Sequence, residues 1–112
     1  MPSYDANLYY HPEHSGLKTV GELEYSSGSY EFDTRVVWFE ASGNRLLTAR
    51  DSGCSCPTPF EDETLDTVED ITHRYATFLM DEWRKEHKGY RGGYVTRAEV
   101  DDLIAACREK LI

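Results

Sequence analysis

The apolar residues of this 112-residue chain change their spacing once, and that change limits what the chain can fold into. From Leu17 to Arg50 they recur at every second position, and from Thr67 onward at every third or fourth. Alternate side chains of a strand face opposite ways, whereas a helix brings every third or fourth to one face. Two blocks of different period therefore predict an α+β fold, sheet first and helices after.

In the first block, "SYEFDTRVVWFE" sets Tyr30, Phe32, Thr34, Val36 and Trp38 on one face and Glu31, Asp33 and Arg35 on the other. The first face is expected to meet the core and the second to meet solvent. Val37 and Phe39 make the far end of the second face apolar, so that end should be covered on both sides, by a helix. Before this central strand, "LKTVGELEY" reads as a strand with Leu23 and Tyr25 inward, and "SSGS" as a turn. After it, "ASGN" turns the chain into "RLLTAR". The sum is a three-stranded antiparallel meander.

In the second block, Val68, Ile71, Tyr75, Phe78, Leu79 and Trp83 predict a helix over 67–88, capped by Thr67 with Asp70 three residues on and stopped at Gly89. Acidic residues crowd its start (Glu61, Asp62, Glu63, Asp66, Glu69 and Asp70) and basic ones (Arg84, Lys85, Lys88) its end, as the helix dipole favours. A second helix is expected over 96–111. Thr96 and Glu99 form its capping box, Val95 and Val100 its hydrophobic staple, and Val100, Leu103, Ile104, Cys107 and Leu111 its buried stripe. Both helices should lie on one face of the sheet. The chain is read as one domain: an arm (1–16), the meander (17–50), a connector (51–66) and the two helices.

A chain with 39% apolar and 12% aromatic residues can bury one modest core. Its longest uncharged apolar run, "VVWF", is far too short to cross a bilayer. The start "MPSYDANLYY" lacks a basic segment followed by an apolar one, which predicts a reducing cytoplasm and unpaired thiols. A net charge of −9 argues against a direct nucleic-acid or membrane-surface binder, since either would need a basic face.

The connector carries the most unusual stretch, "DSGCSCPTPFE" at 51–61. Asp51, Ser52 and Gly53 suit a turn. Pro57 and Pro59 hold Cys56 and Thr58 extended, giving a stiff strut that ends in Phe60 as an apolar anchor. Cys54 and Cys56 read first as small side chains in a tight connection. They could instead supply two zinc ligands, with His11 and His14 of "HPEH" supplying the other two; His73 and His87, both expected inside the first helix, are weaker alternatives. The spacing C-x-C is short for such a site and does not match the C-x-x-C of redox centres. Cys107, on a helical apolar stripe, reads as a core thiol.

The segment "YYHPEHSGLKTVGELEYSSGSYEFDTRVVW", followed by "DSGCSCPTPFED", resembles a family of small, uncharacterised proteins carried by actinobacterial phages. The likeness covers residues 8–62, and "DSGCSCPTPFE" is its most specific part. It implies an accessory protein made in the cytoplasm of an infected bacterial host, and it brings no activity, cofactor or catalytic residue.

No phosphate-binding glycine loop, nucleophile elbow, H-E-x-x-H motif or Cys-His dyad is apparent, so no enzymatic activity and no cofactor beyond the zinc alternative is expected. The expectation is a protein that binds another protein, of host or phage, through its sheet edge, an aromatic arm bearing Tyr9 and Tyr10, or the acidic run "EDETLDTVED" with Glu61, Asp62 and Glu63. That run also allows a second reading, an acidic imitation of DNA that occupies a host nucleic-acid-binding protein. The loop "KGYRGGY" reads as a connector.

Overall fold

The computed structural model describes residues 7–25, 31–54, 60, 64–88 and 95–111. After a 3₁₀ turn at Pro12–Ser15 come β1 (Leu17–Glu24), β2 (Glu31–Glu40), β3 (Arg45–Cys54), β4 (Glu69–Asp70), α1 (Tyr75–Lys88) and α2 (Arg97–Lys110). The strands form one antiparallel sheet in the order β1-β2-β3-β4. The fold is α+β with two C-terminal helices, as the change of period predicts, but the sheet has four strands and not three.

The fourth strand comes from residues assigned to the first helix. Val68 and Ile71, three apart, would share a face on a helix. Here Val68 leans on the cluster of one sheet face, while Ile71 is fully buried in the cluster of the other. Side-chain hydrogen bonds explain the difference. The Asp70 carboxylate accepts from both the backbone N–H and the hydroxyl of Thr72, and that hydroxyl accepts in turn from the Leu46 N–H at 3.0 Å. Thr67 caps no helix, because its hydroxyl is engaged with Thr64. Short polar side chains that bond local backbone compete with helix formation. The segment therefore pairs with β3 (Leu47 with Asp70, Thr48 with Glu69), and the helix starts at Tyr75 without an acidic residue in its first turn.

The second correction lies at 51–53, where a turn is expected and a strand is found. Because β2 is ten residues long, β3 finds partners as far as Cys54 opposite Glu31. Asp51 does not reverse the chain. Its carboxylate accepts from the Ser52 N–H and from the Phe60 N–H at 2.9 and 2.7 Å.

The sheet carries an apolar cluster on each face. On one, α1 and α2 cover Leu23, Tyr25, Val37 and Leu46 with Leu79, Val100, Leu103, Ile104 and Cys107. On the other, Leu8 and Phe60 cover Leu17, Val36, Trp38 and Leu47. A bulge lets β1 serve both. Its register shifts between Thr19 and Gly21, so Leu17 shares the Trp38 face and Leu23, beyond Val20, the Val37 face. Gly21 also lets the helix close in: a Cβ there would lie 2.7 Å from Leu103 Cδ1.

The second helix follows its sequence signals. The Thr96 side chain accepts from the Glu99 N–H at 3.2 Å, and Val95 and Val100 are both buried. Trp83 Nε1 donates to the Val95 carbonyl at 2.8 Å, tying α1 to the entrance of α2. Burial pushes the Cys107 thiol up to about 11. Below about pH 9, the ordinary value of the group, the thiol is neutral in both states. Above it the unfolded chain ionises first, so stability should fall as pH rises from 9 toward 11. Native Cys107 is therefore expected to resist thiol reagents at pH 8 and to react once unfolded; equal labelling of folded and unfolded chains would contradict its burial.

The turn at 26–29, Pro57 and Pro59, Gly89 and the loop to Tyr94 lie outside the described residues.

Candidate functional site

Among the described residues β1 pairs with β2 alone, which makes its outer side along Leu17–Leu23 the edge of the sheet. An edge of this kind can accept a further strand. Beside it α2 rests on Gly21, and a shallow groove of about 310 Å³ runs between Val20–Leu23 and the side of α2 that bears Glu99, Asp102, Leu103 and Ala106. Glu99 and Asp102 are exposed. Their carboxylates rim the groove with negative charge, while Leu103 and Val20 give it an apolar floor.

The arm flanks the same strand from the opposite face. Tyr9 is half-buried, stacked on Phe60 with ring centres 5.1 Å apart, and its hydroxyl is hydrogen-bonded to Glu22 of β1. Burial and that carboxylate raise the Tyr9 hydroxyl well above its usual range. Tyr10 meets Tyr9 edge-on and is 40% exposed. Asn7 sets this geometry. Its side-chain oxygen accepts from the Tyr9 and Tyr10 N–H groups at 2.8 and 3.1 Å, and Leu8 is buried beneath the sheet. Phe60 is the anchor expected of it, in contact with Trp38 and Tyr9 and 1% exposed, with a positive φ of 61° that its hydrogen bond to Asp51 helps to hold.

The predicted zinc residues are brought together in part. His11 and His14 lie on the 3₁₀ turn with their rings stacked 5.1 Å apart, and Glu13 stands beside both. Cys54 ends β3, but its side chain and Cys56 lie outside the described residues, as do Glu61, Asp62 and Glu63. His73 is exposed in the turn before α1, not within it.

A group of charges missed by sequence reasoning centres on two buried residues. Asp33 and Arg35, assigned to the solvent face of β2, are 1% and 2% exposed beneath α1. The Arg35 guanidinium donates to Asp33 and, at 2.6 Å, to Glu86; Glu82 stands 3.9 Å away. Its plane lies over the Tyr25 ring, 4.4 Å from the centroid. Arg50, opposite Arg35 on β3, approaches Asp33 at 3.5 Å and Glu86 at 4.0 Å. A cavity of about 240 Å³ adjoins the group, lined by Arg35, Arg50, Thr48, Phe78 and Glu82 among others. Its two guanidiniums already face three carboxylates, so the cluster serves as a clamp between α1 and the sheet. Opposite charges two residues apart on a central strand and the acidic pair Glu82 and Glu86 one turn apart on the helix are compatible with such a clamp, but equally with solvated faces.

The family model for a domain of unknown function, DUF7574, matches residues 6–111. The chain belongs to this family. No curated relative and no solved structure matches it. The DUF7574 match spans both the arm and the second helix, so the elements on the two sides of the β1 edge fall within one family domain. Among the described residues no helix is long and apolar enough to cross a membrane.

Proposed function

We propose that this DUF7574 chain is a non-enzymatic interaction protein that takes an extended, basic segment of a partner protein along the open edge of β1. The observation that carries the reading is the edge itself, with no second strand on its outer side among the described residues and bordered by the acidic wall of α2. Backbone hydrogen bonds to an added strand supply affinity without regard to sequence. Glu99 and Asp102 on one side and Tyr10 on the other supply the preference, for lysine or arginine and for a side chain that stacks. The chain's net charge of −9 favours the approach of a basic partner. The bulge at Val20 and the charges of Lys18, Glu22 and Glu24 discourage indiscriminate pairing of one copy with another. In keeping with the resemblance to actinobacteriophage proteins, the proposed partner is a host or viral protein met in the cytoplasm of an infected bacterium.

Affinity capture from infected cells with the wild-type chain and with a Glu99→Lys/Asp102→Lys variant tests this. A specific partner is expected with the wild type, its binding weakened by at least about tenfold in the variant, and its presence should slow amide exchange in β1. Undiminished binding by the reversed variant would move the site elsewhere, and repeated failure to recover any specific partner would remove the interaction reading altogether.

A further inference from the structure

We infer that His11, Glu13 and His14 form a binding site for one divalent transition-metal ion, with zinc as the fitting choice, without need of either cysteine. Two imidazoles and a carboxylate are a donor set that zinc accepts, and three protein ligands leave a fourth position for water or a group from outside. Their ligating atoms lie within 4.8 Å of one another, and among the described residues no other three side chains of these types do so.

The spacing matches the ion. Zinc bonds of about 2.0–2.2 Å at tetrahedral angles hold neighbouring ligand atoms roughly 3.4 Å apart. Here His11 Nδ1 is 3.4 Å and His14 Nε2 3.9 Å from the same oxygen, Glu13 Oε1. Side-chain rotation would bring the two imidazole nitrogens, which with the carboxylate oxygen lie within 4.8 Å of one another, to the same separation. The rings stack nearly parallel, 13° apart, and because an imidazole nitrogen binds an ion in its own ring plane, one ring turns for both to meet the ion beside the carboxylate.

The backbone that carries them is held from several sides, so little ordering remains for the ion to impose. Pro12 fixes φ at the start of the turn, and the His11 N–H donates to the Asn7 carbonyl at 2.9 Å. The His14 N–H donates to the His11 carbonyl, and Gly16, at φ 75°, closes the turn with its N–H on the Glu13 carbonyl. Leu8 anchors the whole arm against Trp38 and Leu47. His14 and Glu13 are 51% and 62% exposed, which gives the ion an entry path, while His11 at 29% forms the inner wall. This is the open geometry of a site that can bind an ion and still accept a further ligand, unlike the closed four-residue site that would staple the arm to the cysteine segment.

Zinc titration by calorimetry, with cobalt as a spectroscopic stand-in, tests the inference on the full chain. One zinc per chain is expected for the wild type and for a Cys54→Ser/Cys56→Ser variant. The affinity should fall at least about tenfold in each of His11→Gln, Glu13→Gln and His14→Ala. Bound cobalt should show visible bands of a low-symmetry nitrogen and oxygen site and no thiolate charge-transfer band in the near ultraviolet. Circular dichroism establishes that each variant is folded, which the exposure of Glu13 and His14 favours. Absence of binding, binding that survives all three substitutions, or binding that disappears with the cysteines would each overturn the site as assigned.

Discussion

Arg35→Ala is expected to cost about 3–5 kcal/mol of folding stability, because it leaves the Asp33 carboxylate buried without its closest opposite charge. A domain of this size is stable by only about 5–15 kcal/mol, so the variant should stand close to the unfolding threshold at 25 °C. Part of the loss also comes from Tyr25, which forfeits the guanidinium stacked on its ring. The useful control replaces charge by shape. Asp33→Leu/Arg35→Met/Glu86→Leu removes the buried pair and its closest helix partner, leaving only the more exposed Arg50 and Glu82, and should recover much of the lost stability, since buried ion pairs often exchange for apolar residues at little net cost. Urea denaturation of the three proteins measures both effects. A loss below about 1 kcal/mol in Arg35→Ala would mean that water screens the pair, as at a surface.

Trp38→Ala is the other large effect, again about 3–5 kcal/mol, since Trp38 is fully buried at the centre of the arm-side cluster. Here the consequence reaches beyond stability. Trp38 is the surface on which Phe60 and Leu8 rest, so its removal should loosen the arm and raise the rate of proteolytic cleavage before Leu17. Trp38→Phe should be far milder, within about 1–2 kcal/mol of wild type. The smaller ring leaves a void, but the indole Nε1 has no hydrogen-bond partner among the described residues, and deleting a buried unsatisfied N–H offsets part of that loss. If the alanine variant keeps both its stability and its resistance to protease, the arm is not held by this cluster. The arm also carries the metal-site histidines, so Trp38→Ala should weaken zinc binding without altering a ligand.

How far the fold was legible depended on the range over which each determinant acts. The second helix could be read whole, because its cap, its staple and its stripe are contacts between residues three to five apart. The first three strands could be read for the same reason, since alternation is local, but the turn expected at 51–53 proved to be strand. The first helix was placed eight residues too early, at Thr67 instead of Tyr75. Its apolar spacing is compatible with a helix, and only the competing bonds of Asp70 and Thr72, together with the free side of β3, turn 67–74 into a strand and a turn.

The candidate sites divide in the same way. His11 and His14 were visible from their spacing, and the turn that unites them with Glu13 is local as well. The acidic groove required the structure, for Gly21 and Leu103 lie far apart in sequence and meet because the bulge in β1 presents a bare backbone to the helix.

By itself the sequence determined the α+β class, the second helix and the anchoring role of Phe60, since each follows from periodicity or from residues that bond their near neighbours. The tertiary structure alone decided that Asp33 and Arg35 are interior. A charge two places along a strand from another looks like a solvated face until Glu86, 51 residues beyond Arg35, is folded down upon it. Burial is a property of what arrives from elsewhere in the chain, and the alternation along one strand carries no record of it.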